Sequence, residues 1–261
     1  MAMLARIHIH PFKSLDPQSV AEAELLPNGA LEHDRRFGLV DEHYDVINGK
    51  RVAAIHRLRS HFDPESGRLT LRVAGTADEH AFQVDEDRAA LQDWLGAYFD
   101  MRVEILENFD GGFPDDPQYP GPTVISTASL EAVANWYPGL TVEGARARFR
   151  ANLEIGGVEP FWEDRLLAPG TGAVRFRIGD VELLGMNPCA RCIVPTRDAL
   201  NGESIPQFAK SFARQRQQML PDWAPAERFD HFYRLAVNTR SAAGASRVLR
   251  AGDAVEILGS E

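Results

Sequence analysis

The sequence is poor in cysteine, in basic residues and in long apolar runs. Its 261 residues include only two cysteines, which argues against the disulfide scaffold of small secreted domains. Lysine and arginine number 28 against 38 acidic residues, so the net charge of −10 argues against nucleic acid or anionic membranes as partners. No apolar run reaches the about 20 residues of a membrane span, and no signal-peptide core follows Met1. We therefore expect a cytoplasmic protein.

The residues that are abundant indicate a globular, β-rich chain. Hydrophobic residues make up 44% of the sequence, enough to build a substantial core. Short alternating or β-branched runs predict strands along most of its length. Apolar spacing and capping residues predict three helices, over 87–99, from an N-cap at Ser126 to Trp136, and over 206–220. The predicted fold class is thus mainly β with a few helices (α+β).

A stretch rich in Asp, Gly and Pro over 108–122 predicts a long loop. We place a domain boundary there, which gives predicted domains of residues 1–107 and 108–261. Beyond the loop, the sharp alternation in Phe149–Ile155 predicts a strand. Arg146, Arg148 and Arg150 would then share one face, as an exposed basic stripe, because alternate residues of a strand point the same way.

The two cysteines lie close together, in Cys189-Ala190-Arg191-Cys192, just after a predicted strand. A structural zinc needs four Cys or His ligands and an iron–sulfur cluster usually four cysteines, but no second pair is present. A thioredoxin-like dithiol would begin a helix, which Ile193-Val194-Pro195 disfavours. Two interpretations stay open beside these. The cysteines are small buried hydrophobic residues, or one thiolate binds a metal whose other ligands come with a cofactor.

Several basic residues lie at predicted strand ends or turns, where functional side chains usually project. They are Lys13 with Ser14, Arg35 with Arg36, Lys50 with Arg51, and Arg150 with the nearby Asn152. Each has a plain explanation as a solvated charge. Together they suggest a pocket for a phosphorylated ligand, since the guanidinium fork donates paired hydrogen bonds to phosphate and lysine adds a point charge.

These segments, taken in order, resemble those of a known family. The N-terminal pattern is Ile9-His10-Pro11-Phe12-Lys13-Ser14, then Asp34-Arg35-Arg36-Phe37-Gly38-Leu39-Val40. The C-terminal pattern is Ile125-Ser126-Thr127-Ala128-Ser129-Leu130, then Phe149-Arg150-Ala151-Asn152-Leu153, then Cys189-Ala190-Arg191-Cys192-Ile193. The chain resembles, over nearly its whole length, MOSC-domain proteins with an N-terminal β-barrel. These are related to the mitochondrial amidoxime-reducing component and to the C-terminal part of molybdenum cofactor sulfurase.

The resemblance implies two β-barrel-like domains and a set of site residues. Cys192 matches the cysteine that ligates molybdenum, and Cys189 would support its loop or serve as a persulfide or redox partner. Positions that hold the phosphate and pterin of the molybdenum cofactor (Mo-molybdopterin) match Lys13, Ser14 and Arg35, and further cofactor contacts match Arg150 and Asn152. Arg36 and Lys50 are carried over as neighbours in sequence. Ser126 needs no such role, because N-capping accounts for it.

The implied function is that of a molybdenum-dependent oxidoreductase. It would reduce a small N-hydroxylated or N-oxide substrate with electrons from an external flavin or iron–sulfur donor. The family's reductases carry an acidic residue before the apolar run of the MOSC signature, but here that stretch is Gln118-Tyr119-Pro120-Gly121-Pro122-Thr123, with Asp115 and Asp116 earlier. A carboxylate-assisted protonation is therefore not carried over. Two alternatives need the same pocket: a sulfur carrier with a cysteine persulfide activated by Arg191, and a passive cofactor-binding module.

Overall fold

Short strands dominate the molecule. Its structure, a computed structural model, describes residues 1–242 and 247–260. Strands make up 34% of it, and the described part contains four α-helices. The predicted mainly-β α+β fold class is therefore confirmed.

The regular elements are distributed along the whole chain. The strands are β1 (Met3–Ile9), β2 (Gln18–Val20), β3 (Glu22–Glu24), β4 (Phe37–Val40), β5 (Leu58–Asp63), β6 (Arg68–Val73), β7 (Glu79–Gln83), β8 (Glu104–Glu107), β9 (Val124–Ser126), β10 (Leu153–Gly156), β11 (Val174–Ile178), β12 (Val181–Ala190), β13 (Arg234–Ser241), β14 (Val248–Arg250) and β15 (Val255–Ser260). The α-helices are α1 (Arg88–Phe99), α2 (Thr127–Asn135), α3 (Val142–Phe149) and α4 (Phe208–Gln218). Helices α1, α2 and α4 confirm the three predicted ones.

The largest sheet draws its strands from both ends of the chain. Its order is β15-β11-β12-β13-β9-β10-β1-β2, with β9 and β10 parallel and the other pairs antiparallel. An isolated bridge joins Met3 to Ala254, so β1 approaches the start of β15. Among the described strands this bridge does not extend into a ladder, so pairing forms no closed barrel. β1 pairs with β10 inside this sheet, and the predicted division after residue 107 stays a prediction.

Aromatic packing fixes the N-terminal segments that carry the basic residues. The rings of Phe12, after β1, and Phe37, in β4, stack with centroids 4.5 Å apart. Phe62 packs edge-on against both, at 5.8 and 5.5 Å. Such pairs contribute about 0.5–1.5 kcal/mol beyond their burial. The backbone N–H of Lys13 donates to Phe37 O at 2.8 Å, so the segments that bear Lys13 and Arg35 are held side by side.

A second aromatic cluster packs α3 against α4. Phe149, the last residue of α3, lies 5.5 Å from Phe212 between ring centroids. Tyr137 stacks on Phe208 at 4.3 Å, and its hydroxyl donates to Phe208 O at 2.9 Å. All four rings are buried. The end of α3, and with it Arg150, is thereby placed on a rigid support.

The strand predicted over Phe149–Ile155 is wrong in its first half. Phe149 ends helix α3, and β10 begins only at Leu153. Thr141 caps the helix, because its hydroxyl accepts a hydrogen bond from Gly144 N at 3.0 Å. An N-cap of this kind contributes about 1 kcal/mol to helix stability. The alternating pattern therefore concealed a short capped helix.

The predicted basic stripe is wrong for the same reason. In a helix, residues two apart point about 200° away from each other rather than the same way. Arg148 consequently points away from Arg146, and Arg150 lies just beyond the last helical residue. Arg146 forms a two-point ion pair with Glu154 at 2.6 and 2.8 Å, and Arg148 pairs with Asp198 at 3.1 Å. Arg150 alone of the three ends the helix, in the left-handed conformation.

Two further predictions are confirmed. Ser126 caps α2, since its Oγ accepts from Ser129 N at 3.0 Å. Residues 108–122 contain neither helix nor strand. In the ranges that the structure describes, no helix is long and apolar enough to cross a membrane.

Candidate functional site

A cavity of about 710 Å³ brings residues from the whole chain together. The segment after β1, the loop over 108–122, the end of α3 and the segment after β12 all contribute to its wall. Nine lysines and arginines line it against four aspartates. Because the chain as a whole carries −10, this positive surplus is local and favours an anionic ligand.

Lys13 and Arg35 face a shared carboxylate in this cavity. Lys13 Nζ lies 2.9 Å from Asp115 Oδ1, and Arg35 Nη2 lies 3.8 Å from Asp115 Oδ2. Lys13 Nζ also donates to the carbonyl oxygens of Phe113 and Pro114, at 2.9 and 3.3 Å. Desolvation by the surrounding cavity wall disfavours the charge on Asp115, but Arg35 and Lys13 outweigh this and hold its pKa well below the ordinary range.

Arg35 is fixed from its other side by Asp34. Its guanidinium pairs with the Asp34 carboxylate, which also accepts from His10 N at 2.8 Å. Burial opposes the charge on Asp34, yet Arg35 and the His10 hydrogen bond lower its pKa to about 2. Burial and the nearby Arg150 lower the pKa of His10 to about 3. His10 is therefore neutral at pH 7, and Asp34 and Arg35 form a fixed ion pair at the cavity wall.

Three residues of the cavity wall hold an uncommon backbone conformation. Ser14, Arg35 and Arg150 have φ of 74°, 52° and 51°. This left-handed region is sparsely populated by residues other than glycine and costs on the order of 1–3 kcal/mol at each position. Such conformations cluster at ligand sites, where the surrounding structure enforces them. Here they aim three polar side chains at one cavity.

Two cations of the cavity, Lys50 and Arg150, have charged groups without a partner among the described residues, and Arg150 is the less exposed of the two. Within residues 1–242 and 247–260, no hydrogen bond or ion pair engages its guanidinium. Burial and the charge of Arg35 lower its pKa to about 10. A partly buried cation next to another cation is unfavourable unless an anion joins them. Arg150 is therefore well suited to bind an anionic group.

The two cysteines occupy different surroundings. Cys189 is buried, and its Sγ donates to Asn238 Oδ1 at 2.6 Å. The amide nitrogen of Asn238 in turn donates to Asp116 Oδ2 at 3.2 Å. Burial raises the pKa of the Cys189 thiol to about 11, although Arg191 opposes this. Arg191 thus acts on the Cys189 thiol in the expected direction, but burial outweighs it and the thiol keeps its proton.

Cys192 is the accessible thiol of the pair. It is exposed at the cavity, and its Sγ accepts from Val194 N at 3.4 Å. The intervening Arg191 points elsewhere, since its guanidinium donates to Leu235 O at 2.9 Å and to Phe149 O at 3.1 Å. Both cysteines are free rather than joined in a disulfide. The motif thus presents one buried, protonated thiol and one exposed thiol.

Most of the predicted site residues lie around this cavity, and their roles stay predictions. The residues that line it are Lys13, Ser14, Arg35, Lys50, Arg150, Asn152, Cys189 and Cys192. Arg36 does not line it, because its guanidinium pairs with Glu107 at 2.6 Å and lies over the Phe109 ring. Ser126 lies elsewhere as well, within the buried network that caps α2.

Asn152 lines the cavity, but hydrogen bonds within the protein engage its amide. Its Oδ1 accepts from the N–H and hydroxyl of Thr123, both at 3.1 Å, and its Nδ2 donates to His8 O at 3.0 Å. The residue is 2% exposed. Its present bonds join β1 to the start of β9, which positions the cavity wall.

The geometry adds two residues to the site that had no predicted role. Asp115 contacts Lys13 and Arg35, and the sequence marked it only as an acidic residue of the loop over 108–122, earlier than the position that is acidic in the family's reductases. Asn238 holds the thiol of Cys189 from β13, about fifty residues away, and nothing local marks it. The described residues contain no group of three His, Cys, Asp or Glu side chains that could hold a metal ion. A metal at Cys192 would need ligands from beyond these residues, such as those of a cofactor.

Comparison with protein families matches both parts of the chain. The MOSC N-terminal beta barrel domain matches residues 1–110, and the MOSC domain matches residues 122–256. The chain belongs to the MOSC family. No curated protein matches it as a relative. MOSC domains are associated with proteins that bind the molybdenum cofactor. The cationic cavity of this MOSC protein fits that ligand class, since an uncommitted Arg150 and an exposed thiol face the same space.

Proposed function

We propose that this MOSC protein is a molybdenum-cofactor-binding oxidoreductase that reduces N-hydroxylated or N-oxide compounds. The observation that carries the proposal is the cavity, which combines uncommitted positive charge at Arg150 with the exposed thiol of Cys192. The resemblance of the chain to the amidoxime-reducing component and to molybdenum cofactor sulfurase supports the same ligand. A phosphate and a dithiolene are both anionic, and a soft thiolate is a suitable ligand for molybdenum.

Each residue has a defined task in this proposal. Lys13, Arg35 and Arg150 neutralise the phosphate, and the hydroxyl of Ser14 adds a hydrogen-bond donor. Cys192 binds the metal through its deprotonated Sγ. Cys189 keeps its proton on Sγ through the bond to Asn238 Oδ1, so it does not compete as a ligand. When bound, the cofactor supplies two-electron redox chemistry, and the protein binds, orients and electrostatically tunes it.

Electrons would have to come from another protein. The chain has two cysteines, fewer than the four that an iron–sulfur cluster usually takes. We therefore propose an external flavin or iron–sulfur protein as the donor. The substrate would be a small molecule that enters the cavity beside Cys192.

Turnover with an artificial donor tests the proposal without the natural partner. Protein from a host that makes the molybdenum cofactor would be given dithionite-reduced methyl viologen with an aryl amidoxime or a trialkylamine N-oxide. We expect viologen oxidation that depends on the substrate, and loss of turnover in Cys192→Ser. Full turnover by Cys192→Ser would contradict the assignment of Cys192 as the metal ligand.

A sulfur carrier is the second candidate, because Cys192 is free and exposed. A persulfide on its Sγ would be delivered to the cofactor or to another acceptor. After loading by a cysteine desulfurase, cyanide would release thiocyanate from the wild type and not from Cys192→Ser. Protein that holds the cofactor, turns over no N-hydroxylated substrate and releases no thiocyanate would be a passive cofactor-binding module.

A further inference from the structure

The carboxylate of Asp115 lies where an anionic ligand would need to bind. It contacts Lys13 Nζ at 2.9 Å and faces Arg35 Nη2 at 3.8 Å. The other two N–H groups of the Lys13 ammonium donate hydrogen bonds to Phe113 O and Pro114 O. An ammonium has three donors, so Lys13 has none left for a ligand while Asp115 stays in place.

Asp115 is attached far more loosely than the other carboxylate of the cluster. Asp34 has a side chain that is 12% exposed, and it is fixed by the N–H of His10 as well as by Arg35. The side chain of Asp115 is 72% exposed. In the part of the chain that the structure describes, no backbone N–H donates to its carboxylate. Exposed ion pairs contribute little to stability, so replacing Asp115 with another anion costs little.

We propose that Asp115 is an internal counterion that competes with the ligand's phosphate for Lys13 and Arg35. Without the ligand, the loop that carries Asp115 neutralises these cations and limits their capture of stray anions. A ligand phosphate first meets the uncommitted Arg150 and then displaces Asp115, which returns one donor of Lys13 to the site. The inference rests on the proposed function only in taking the ligand of the cavity to be a phosphorylated anion.

The test measures pyrophosphate binding by calorimetry at low ionic strength, in a buffer free of phosphate and sulfate. We compare the wild type with Asp115→Asn and with Asp110→Asn. Asp110 is exposed on the same loop and forms no ion pair with a described residue, so its change removes the same charge away from the cations. We expect Asp115→Asn to bind about tenfold more tightly, 1.4 kcal/mol, and Asp110→Asn to bind within about twofold of the wild type.

A second variant tests whether the gain in pyrophosphate affinity depends on Lys13. In the Lys13→Met background, Asp115→Asn should improve pyrophosphate binding much less than in the wild type, because the competition that it relieves has lost one partner. Circular dichroism confirms that each variant is folded. Equal affinity of Asp115→Asn and wild type, or binding by neither, would overturn the inference, as would an equal gain in Asp110→Asn.

The assay separates this inference from the proposed function. It needs neither molybdenum nor the thiol of Cys192, so Asp115→Asn should gain the same affinity in a Cys192→Ser background. If the protein shows no redox turnover but Asp115→Asn still binds pyrophosphate more tightly, the cavity binds phosphate with Asp115 as its competitor and the redox proposal is rejected. If the protein binds molybdenum but Asp115→Asn binds pyrophosphate no more tightly than the wild type, only the role of Asp115 is rejected.

Discussion

Replacing Arg150 with methionine should stabilise the ligand-free protein while it abolishes anion binding. Burial and Arg35 lower the pKa of Arg150 to about 10, which means that the fold disfavours its charge. Each pKa unit corresponds to about 1.4 kcal/mol, so the unfavourable interaction amounts to at most about 3 kcal/mol. Because the side chain keeps some contact with water, we expect a gain of about 1–2 kcal/mol in the free energy of unfolding. Methionine keeps most of the aliphatic stem.

Urea denaturation at pH 7.5 in an anion-poor buffer measures this gain. Arg146→Met is the matched control on the same helix, because Arg146 pairs at two points with Glu154, which is 2% exposed. Removing Arg146 leaves that carboxylate only the Thr127 hydroxyl at 2.8 Å and the Arg6 guanidinium at 3.9 Å, and should cost about 3 kcal/mol. Millimolar pyrophosphate should then raise the melting temperature of the wild type and not that of Arg150→Met. Destabilisation by Arg150→Met, or the same pyrophosphate response in both proteins, would refute the reasoning.

Two further predictions concern buried acidic and thiol groups. Burial and Asp164 raise the pKa of Glu163 from 4.5 to about 7, so folding is accompanied by uptake of a proton at pH values between 4.5 and 7. The contribution of Glu163 to the free energy of unfolding is therefore full below pH 4.5 and is lost, by up to about 3 kcal/mol, as pH rises through 7. Urea titrations at pH 5 and 8 should show that Glu163→Gln lacks this part of the pH dependence. A wild-type slope in Glu163→Gln would contradict the assignment. Iodoacetamide at pH 8 should alkylate exposed Cys192 well before buried Cys189, as peptide mass spectrometry would show, and equal rates would contradict the buried thiol.

Local sequence patterns predicted those parts of the fold that short-range physics determines. Ser126 caps α2 because a serine before an apolar run satisfies the first free N–H groups. Helix α3 was missed because the alternation around Phe149 fits a strand, whereas its tertiary contacts favour the helix. Burial of Phe149 against α4, with the ion pairs of Arg146 and Arg148, outweighs the weak local preference.

The site was predictable only where a motif marked it. Lys13 and Cys192 are far apart in the chain, and no periodicity shows that they line one cavity; family resemblance supplied that link. Arg36 follows Arg35 directly, but the positive φ of Arg35 turns the chain, and Arg36 pairs with Glu107 outside the cavity. The role of Asp115 depends on how a long loop folds back over the cations, which composition does not specify.

The molybdenum and pterin contents of purified protein test the central claim most directly. Protein made in a cofactor-competent host should contain both at close to one per chain. Cys192→Ser should lose most of the metal, because its thiolate ligand is gone, while Cys189→Ser should keep it, since the Cys189 thiol is buried and bonded to Asn238. Wild-type protein free of molybdenum and pterin, or Cys192→Ser with a full complement of metal, would contradict the account.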